Sequence, residues 1–203
     1  MRLPANKMNG VTTNAVLAVA ALLALPTAAS ADNFSYRYVD VARFPNAEID
    51  VGNNDIDGDG LQLRASMPVH QNFFALFEYQ DLDLDFGIDA TRFLIGGGGH
   101  WRINDNLDFI ARGGIVSYEI DFGNFEDDDT GLFVGARVRT TIAPRIELEG
   151  GVEHFEVEVA GLKNDTYLIG EGRYNFTPQW SAGLIITLGG DTSVFGAQGR
   201  YSF

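Results

Sequence analysis

The chain has no cysteine, which excludes disulfide staples and a lipid-modified cysteine anchor alike. Long apolar runs are almost as scarce. The clearest, from Ala15 to Leu25, falls short of the roughly 20 residues that a spanning helix needs, so membrane residence is open only to strands. Arg2 and Lys7 precede this run and Ala29-Ser30-Ala31 follows it as a small-residue cleavage site. Residues 1–31 are therefore expected to be a secretory signal and residues 32–203 the mature chain. Positive charge is also short, with 14 Lys and Arg against 28 Asp and Glu and a net charge of −14. Arg2 and Lys7 leave with the signal and no acid does, so the mature balance is 12 against 28, or −16. Such a polyanion argues against nucleic acid as a partner. Histidine is limited to His70, His100 and His154, and no nucleophile accompanies any of them. His154 with Glu153, Glu156 and Asp121 is the nearest approach to a catalytic pair, and without a nucleophile no enzyme is expected.

Abundance lies in glycine (24), phenylalanine (15) and tyrosine (7), arranged in period-two patterns. Leu61, Leu63, Ala65 and Met67 alternate with Gln62, Arg64 and Ser66. Leu132, Val134, Ala136, Val138, Thr140 and Ile142 oppose Phe133, Gly135, Arg137, Arg139 and Thr141. Residues 92–102, 167–176, 180–188 and 194–203 repeat the pattern, and the last is expected to close a barrel at Phe203. Three places look irregular: the N-terminal strand slips at Asp40, residues 107–122 lose phase near Val116, and an inserted residue near His154 suggests a β-bulge. Short connections at 68–72, 104–106, 143–145 and 177–179 alternate with longer ones at 45–60, 81–90, 121–130 and 160–165, with Pro45, Pro68, Pro144 and Pro178 placed in connections. An all-β, antiparallel up-and-down transmembrane barrel of ten strands is expected, with eight as the alternative.

Ser35-Tyr-Arg-Tyr-Val-Asp40, Asn72-Phe-Phe-Ala-Leu-Phe-Glu-Tyr79, Arg92-Phe-Leu-Ile-Gly-Gly-Gly-Gly-His-Trp101 and Arg200-Tyr-Ser-Phe203 resemble the small outer-membrane β-barrel proteins of the OmpA-like and opacity type. They are more closely similar to the Gly-rich small barrels of xanthomonads. The resemblance covers the mature chain and implies residence in the outer membrane of a Gram-negative bacterium. It departs from OmpA in lacking a following peptidoglycan-binding domain, so cell-wall anchoring is not expected.

Charge sorts by pole. Glu48, Asp50, Asp55, Asp57 and Asp59, then Asp81, Asp83, Asp85 and Asp89, then Asp121, Glu126, Asp127, Asp128 and Asp129 occupy three long connections that hold no Lys or Arg. They are read either as a solvated, self-repelling crown or as a surface that binds divalent cations and, through them, lipopolysaccharide. Asp55-Ile-Asp-Gly-Asp-Gly60 matches the opening of a calcium loop, which makes Asp55, Asp57 and Asp59 the candidate metal ligands. Ser66 stands where the bidentate Glu belongs, so an Asp/Gly-rich turn is the simpler reading. No other cofactor is expected. Arg64, Arg92, Arg102, Arg112, Arg137, Arg139, Arg173 and Arg200 share the polar phase with Glu78, Asp108, Glu147, Glu149, Glu153 and Glu171. They are expected to fill a narrow lumen with ion pairs. A monomeric barrel with a structural or surface-interaction role follows, the alternative being a narrow channel for ions or small solutes.

Overall fold

Period-two alternation decides which side chains meet lipid and which meet the lumen. The computed structural model describes the result for residues 34–51, 54–123, 125–159, 164–190 and 192–203; the expected signal lies outside these. The described residues form ten strands: β1 (Tyr38–Val51), β2 (Asn54–His70), β3 (Phe73–Leu84), β4 (Ile88–Asn104), β5 (Leu107–Asp121), β6 (Glu126–Ala143), β7 (Ile146–Glu156), β8 (Asp165–Asn175), β9 (Trp180–Gly189) and β10 (Thr192–Ser202). Each pairs antiparallel with its sequence neighbours, and β1 pairs with β10, so the sheet closes as an up-and-down barrel with ten strands rather than eight. Closure satisfies every ladder internally, as hydrocarbon requires. At the seam Tyr38 lies opposite Ser202, and the Phe203 N–H donates to the Arg37 carbonyl at 3.1 Å.

Three expected irregularities are absent from the described strands. Pairing runs without a register shift past Asp40, past Val116 and through His154. Each apparent slip has the same cause: the lumen-facing phase stays constant while its chemistry switches between apolar and charged. Asp40 continues the inward phase of Tyr36 and Tyr38, and Phe155 continues that of Glu153. A genuine bulge lies at Pro45–Asn46, where the register shifts on both sides of β1. Pro45 thus sits inside a strand, contrary to its expected place in a connection, and a bulge tolerates its missing N–H. Pro68 is likewise within β2, just before a second shift. The long connections at 45–60, 81–90 and 121–130 are mostly strand as well, so three hairpins prolong the barrel wall on the outer side.

The outward face carries an apolar band that includes Ile95, Ile115, Leu132, Val134, Leu168 and Leu184, all exposed to surroundings that a bilayer supplies. Phe73, Trp101, Phe109, Tyr174, Trp180 and Tyr201 gather near the short turns, where an aromatic girdle marks the periplasmic interface. No described helix is long and apolar enough to cross a membrane, and the crossing is made by strands. Inside, apolar clusters flank a charged zone. Phe34, Tyr36, Phe74, Leu76 and Ile110 are buried toward the short turns, while Phe44, Leu82, Leu84, Ile120, Val157 and Val194 are buried toward the hairpins.

Candidate functional site

Register assembles the charged zone. Asp40, Arg64 and Glu78 lie directly opposite one another across β1, β2 and β3, and Asp40 also faces Arg200 on β10. Arg64 donates Nε to Asp40 Oδ1 at 2.8 Å, Nη1 to Glu171 Oε1 at 2.5 Å and Nη2 to Gln198 Oε1 at 2.8 Å. Glu171 on β8 also receives Arg173 Nη1 at 2.5 Å and Arg137 Nη1 at 3.2 Å, with Arg200 Nη2 at 3.8 Å. Arg137 reaches Glu149 at 3.0 Å and Glu153 at 2.8 Å, and Arg139 reaches Glu147 at 2.9 Å. Arg112 pairs with Glu153, Arg92 with Glu78, and Arg173 with Glu147. Arg64, Arg92, Arg112, Arg137, Arg139, Arg173 and Arg200 thus meet Asp40, Glu78, Glu147, Glu149, Glu153 and Glu171, seven cations against six anions, while Asp108 is met by Tyr36 and His100 instead.

Small residues make room for this belt. A Cβ on Gly151 would stand 2.1 Å from the Ala136 carbonyl and 2.6 Å from Arg137 Cα, and one on Gly135 would meet Glu153 Cγ at 2.8 Å. Planar guanidinium groups fill the space so released and serve several carboxylates each. A cavity of about 20 Å³ remains among Gln62, Arg64, Glu78, Arg92, Arg137 and Glu153, room for about one water. Gln62 Oε1 and Arg92 Nε are buried there without a protein partner, groups that a water can satisfy.

Of the expected lumen charges, Arg102 is exposed at the mouth. Asp40, Gln62, Gln198 and Tyr36 join the interior although they were not singled out. Tyr36 donates its hydroxyl to Asp108 Oδ2 at 2.9 Å and stacks on His100 at 3.9 Å between ring centroids. His154 points outward, its Nδ1 2.9 Å from Thr166 Oγ1, while Glu153 is turned inward to Arg112 and Arg137. The catalytic constellation weighed around His154 is therefore not brought together.

The same register builds the outer rim. Asp59 faces Asp83, Asp83 faces Asp89, Asp89 faces Asp121, and Asp121 faces Glu126, giving one carboxylate row across β2 to β6. One step toward the membrane, Asp81, Thr91, Glu119 and Asp128 form the next row, and Tyr79, Phe93, Ser117 and Thr130 the one below. These rows occupy the outward phase beyond the apolar band. Desolvation first, then Asp83, Asp81 and Asp121, hold the Asp89 carboxyl above the ordinary aspartate range. Of the candidate metal ligands, Asp57 is exposed and Asp59 is paired with Arg43, and the side chain of Asp55 lies outside the described residues. Residues 54–60 are extended strand, in which alternate positions stand roughly 6.6 Å apart rather than wound about one ion. Among the described residues no cluster of three or more His, Asp or Glu is arranged to hold a metal.

The sequence profile of the outer membrane protein beta-barrel domain matches residues 15–176. The chain belongs to this family. Comparison with curated protein sequences finds no match. Among solved structures, the β domain of the Bordetella autotransporter BrkA is similar at a TM-score of 0.53 and 12% identity, covering 82% of this chain and 100% of that one. The COG4313 outer membrane channel from Pseudomonas putida F1 is similar at 0.52 and 11%, covering 87% and 98%. Neisserial surface protein A is similar at 0.46 and 13%, covering 83% and 98%. At these identities the likeness is one of fold, and this outer-membrane barrel protein must be read from its own residues.

Proposed function

We propose that this protein is a sealed outer-membrane barrel whose working surface is the acidic outer rim. The observation that carries the proposal is the belt of seven arginines paired with six carboxylates, in which the cavity beside Arg64, Arg92 and Arg137 has room for about one water. Buried apolar side chains toward both ends of the belt, Phe34, Phe74 and Leu76 at one and Phe44, Leu82 and Val194 at the other, oppose the passage of hydrated solutes. The role is then structural and interactive rather than catalytic, and the barrel acts as a monomer. The carboxylate rows beyond the lipid band sit at headgroup height, where Mg²⁺ or Ca²⁺ bridges them to the phosphates of lipopolysaccharide. Residues 1–31 direct export and are removed. Purified protein in lipid vesicles tests the sealed lumen: swelling in small sugars at the protein-free rate supports it, and sugar-dependent swelling refutes it.

A narrow channel remains the second reading, favoured by the unpartnered Gln62 Oε1 and Arg92 Nε at the cavity. A file of water through these groups would pass ions and no sugar, and conductance separates the two readings.

A further inference from the structure

Four residues ahead of β1 do not continue along the wall. Residues 34–37 belong to no ladder, yet Phe34 and Tyr36 are buried inside the barrel near the short turns. The ring of Tyr36 lies flat between Phe74 of β3, at 5.4 Å, and His100 of β4, at 3.9 Å, and its hydroxyl donates to Asp108 of β5. Its carbonyl accepts from Ser66 Oγ at 2.8 Å. Farther along, Arg139 of β6 donates to the Ser35 carbonyl at 3.0 Å and places its guanidinium 4.9 Å from the Phe34 ring centroid. In a ring of ten strands β6 is five steps from β1 either way, so the segment crosses the mouth to the opposite wall.

We propose that residues 34–37 are a releasable lid on the periplasmic mouth, with Tyr36 as its latch. The belt consists of strand residues that cannot leave without breaking ladders. The lid belongs to no ladder and is held by ring stacking, cation–π contacts, the Tyr36–Asp108 hydrogen bond and the carbonyls of Ser35, Tyr36 and Arg37, so it can swing out while the barrel stays closed. Seated, it shields His100, Asp108 and the lower face of the belt from periplasmic water; withdrawn, it exposes them. The lid rests on the closed-lumen reading only for what lies above it.

The absence of cysteine allows a direct test. Ile110→Cys places a thiol under the lid, at a position that is 4% exposed, and Asn106→Cys places one in the neighbouring turn. A charged methanethiosulfonate reagent should label the thiol at position 110 slowly and the thiol at position 106 fast. Adding Tyr36→Ala should accelerate labelling at 110 by at least about tenfold, since loss of a hydrogen bond to a charged acceptor alone is worth that, and leave 106 unchanged. If Tyr36→Ala fails to give heat-modifiable barrel, Tyr36→Phe, which keeps the ring and loses only the Asp108 contact, should still accelerate labelling at 110. Fast labelling under the intact lid, or equal slow labelling after either substitution in folded barrel, would overturn the proposal. Labelling at 110 probes only the periplasmic half, so its failure leaves the conductance of the whole lumen a separate question.

Discussion

Glu171 is where the belt is most exposed to a single substitution. Its side chain is fully buried and accepts from Arg64 and Arg173 at 2.5 Å, from Arg137 at 3.2 Å and from Gln198 Nε2 at 3.2 Å. Glu171→Gln keeps the volume and removes one negative charge, which leaves seven arginines facing five paired carboxylates in a buried site. Breaking a buried pair costs about 3–5 kcal/mol, because the stranded charge keeps its desolvation penalty and loses its partner. For a domain of this size each kcal/mol moves the midpoint by about 2–4 °C, so the thermal unfolding of refolded barrel should fall by roughly 6–20 °C. Glu156→Gln, on the exposed outward phase of β7, should stay within about 0.5 kcal/mol of the parent. Combining Glu171→Gln with Arg64→Gln should recover part of the loss, since the second change removes one of the uncompensated cations. A Glu171→Gln loss below about 1 kcal/mol would mean that water reaches the site and screens it, and the sealed belt would be refuted.

The remaining expectations concern backbone and rim. Gly151→Ala should lower stability by about 1–3 kcal/mol in denaturant unfolding, because its Cβ would meet the Ala136 carbonyl at 2.1 Å. Phe86 is 89% exposed with φ of 66°, so Phe86→Gly should be stabilising by about 1 kcal/mol, and a loss would show that the ring has a packing role. Asp89 has its folded pKa raised, so the native hairpin binds this proton more tightly than the unfolded chain does. Its stabilising effect is present below the ordinary aspartate pKa and is lost as pH rises through the folded value. Exchange protection of amides 83–91 should therefore grow on acidification just above the ordinary aspartate range, and Asp89→Asn should flatten that dependence. Lipopolysaccharide should co-purify in Mg²⁺ and dissociate in chelator, more readily after Asp83→Asn, Asp89→Asn and Asp121→Asn together; retention unaffected by either treatment would remove the bridging role.

Strand count, closure and the lumen side of Arg64, Arg137, Arg173 and Glu171 were legible because a period of two needs no tertiary knowledge. The sequence misled where alternation is read as apolar against polar. Val116, Phe133, Phe155 and Val157 face the lumen, so the apolar phase crosses from the lipid side to the lumen side along the strand and mimics a bulge. Pro45 and the acidic runs, which read as loop, were strand because beyond the membrane an outward position meets water and accepts aspartate. The crossing of residues 34–37 carried no local signal at all: Tyr36 finds Asp108 across 72 residues of sequence. The carboxylate row across β2 to β6 also depends on register, which composition alone does not set.

The sealed lumen is tested most directly by planar-bilayer recording of the refolded protein across a salt gradient, at a protein density that gives frequent insertions. A closed belt predicts insertion, verified by heat-modifiable migration of protein recovered from the same lipid, with no discrete current steps. Reproducible unitary steps whose ion selectivity changes with Arg64→Gln or Glu171→Gln would contradict it, and would make the arginine–carboxylate belt a filter instead of a seal.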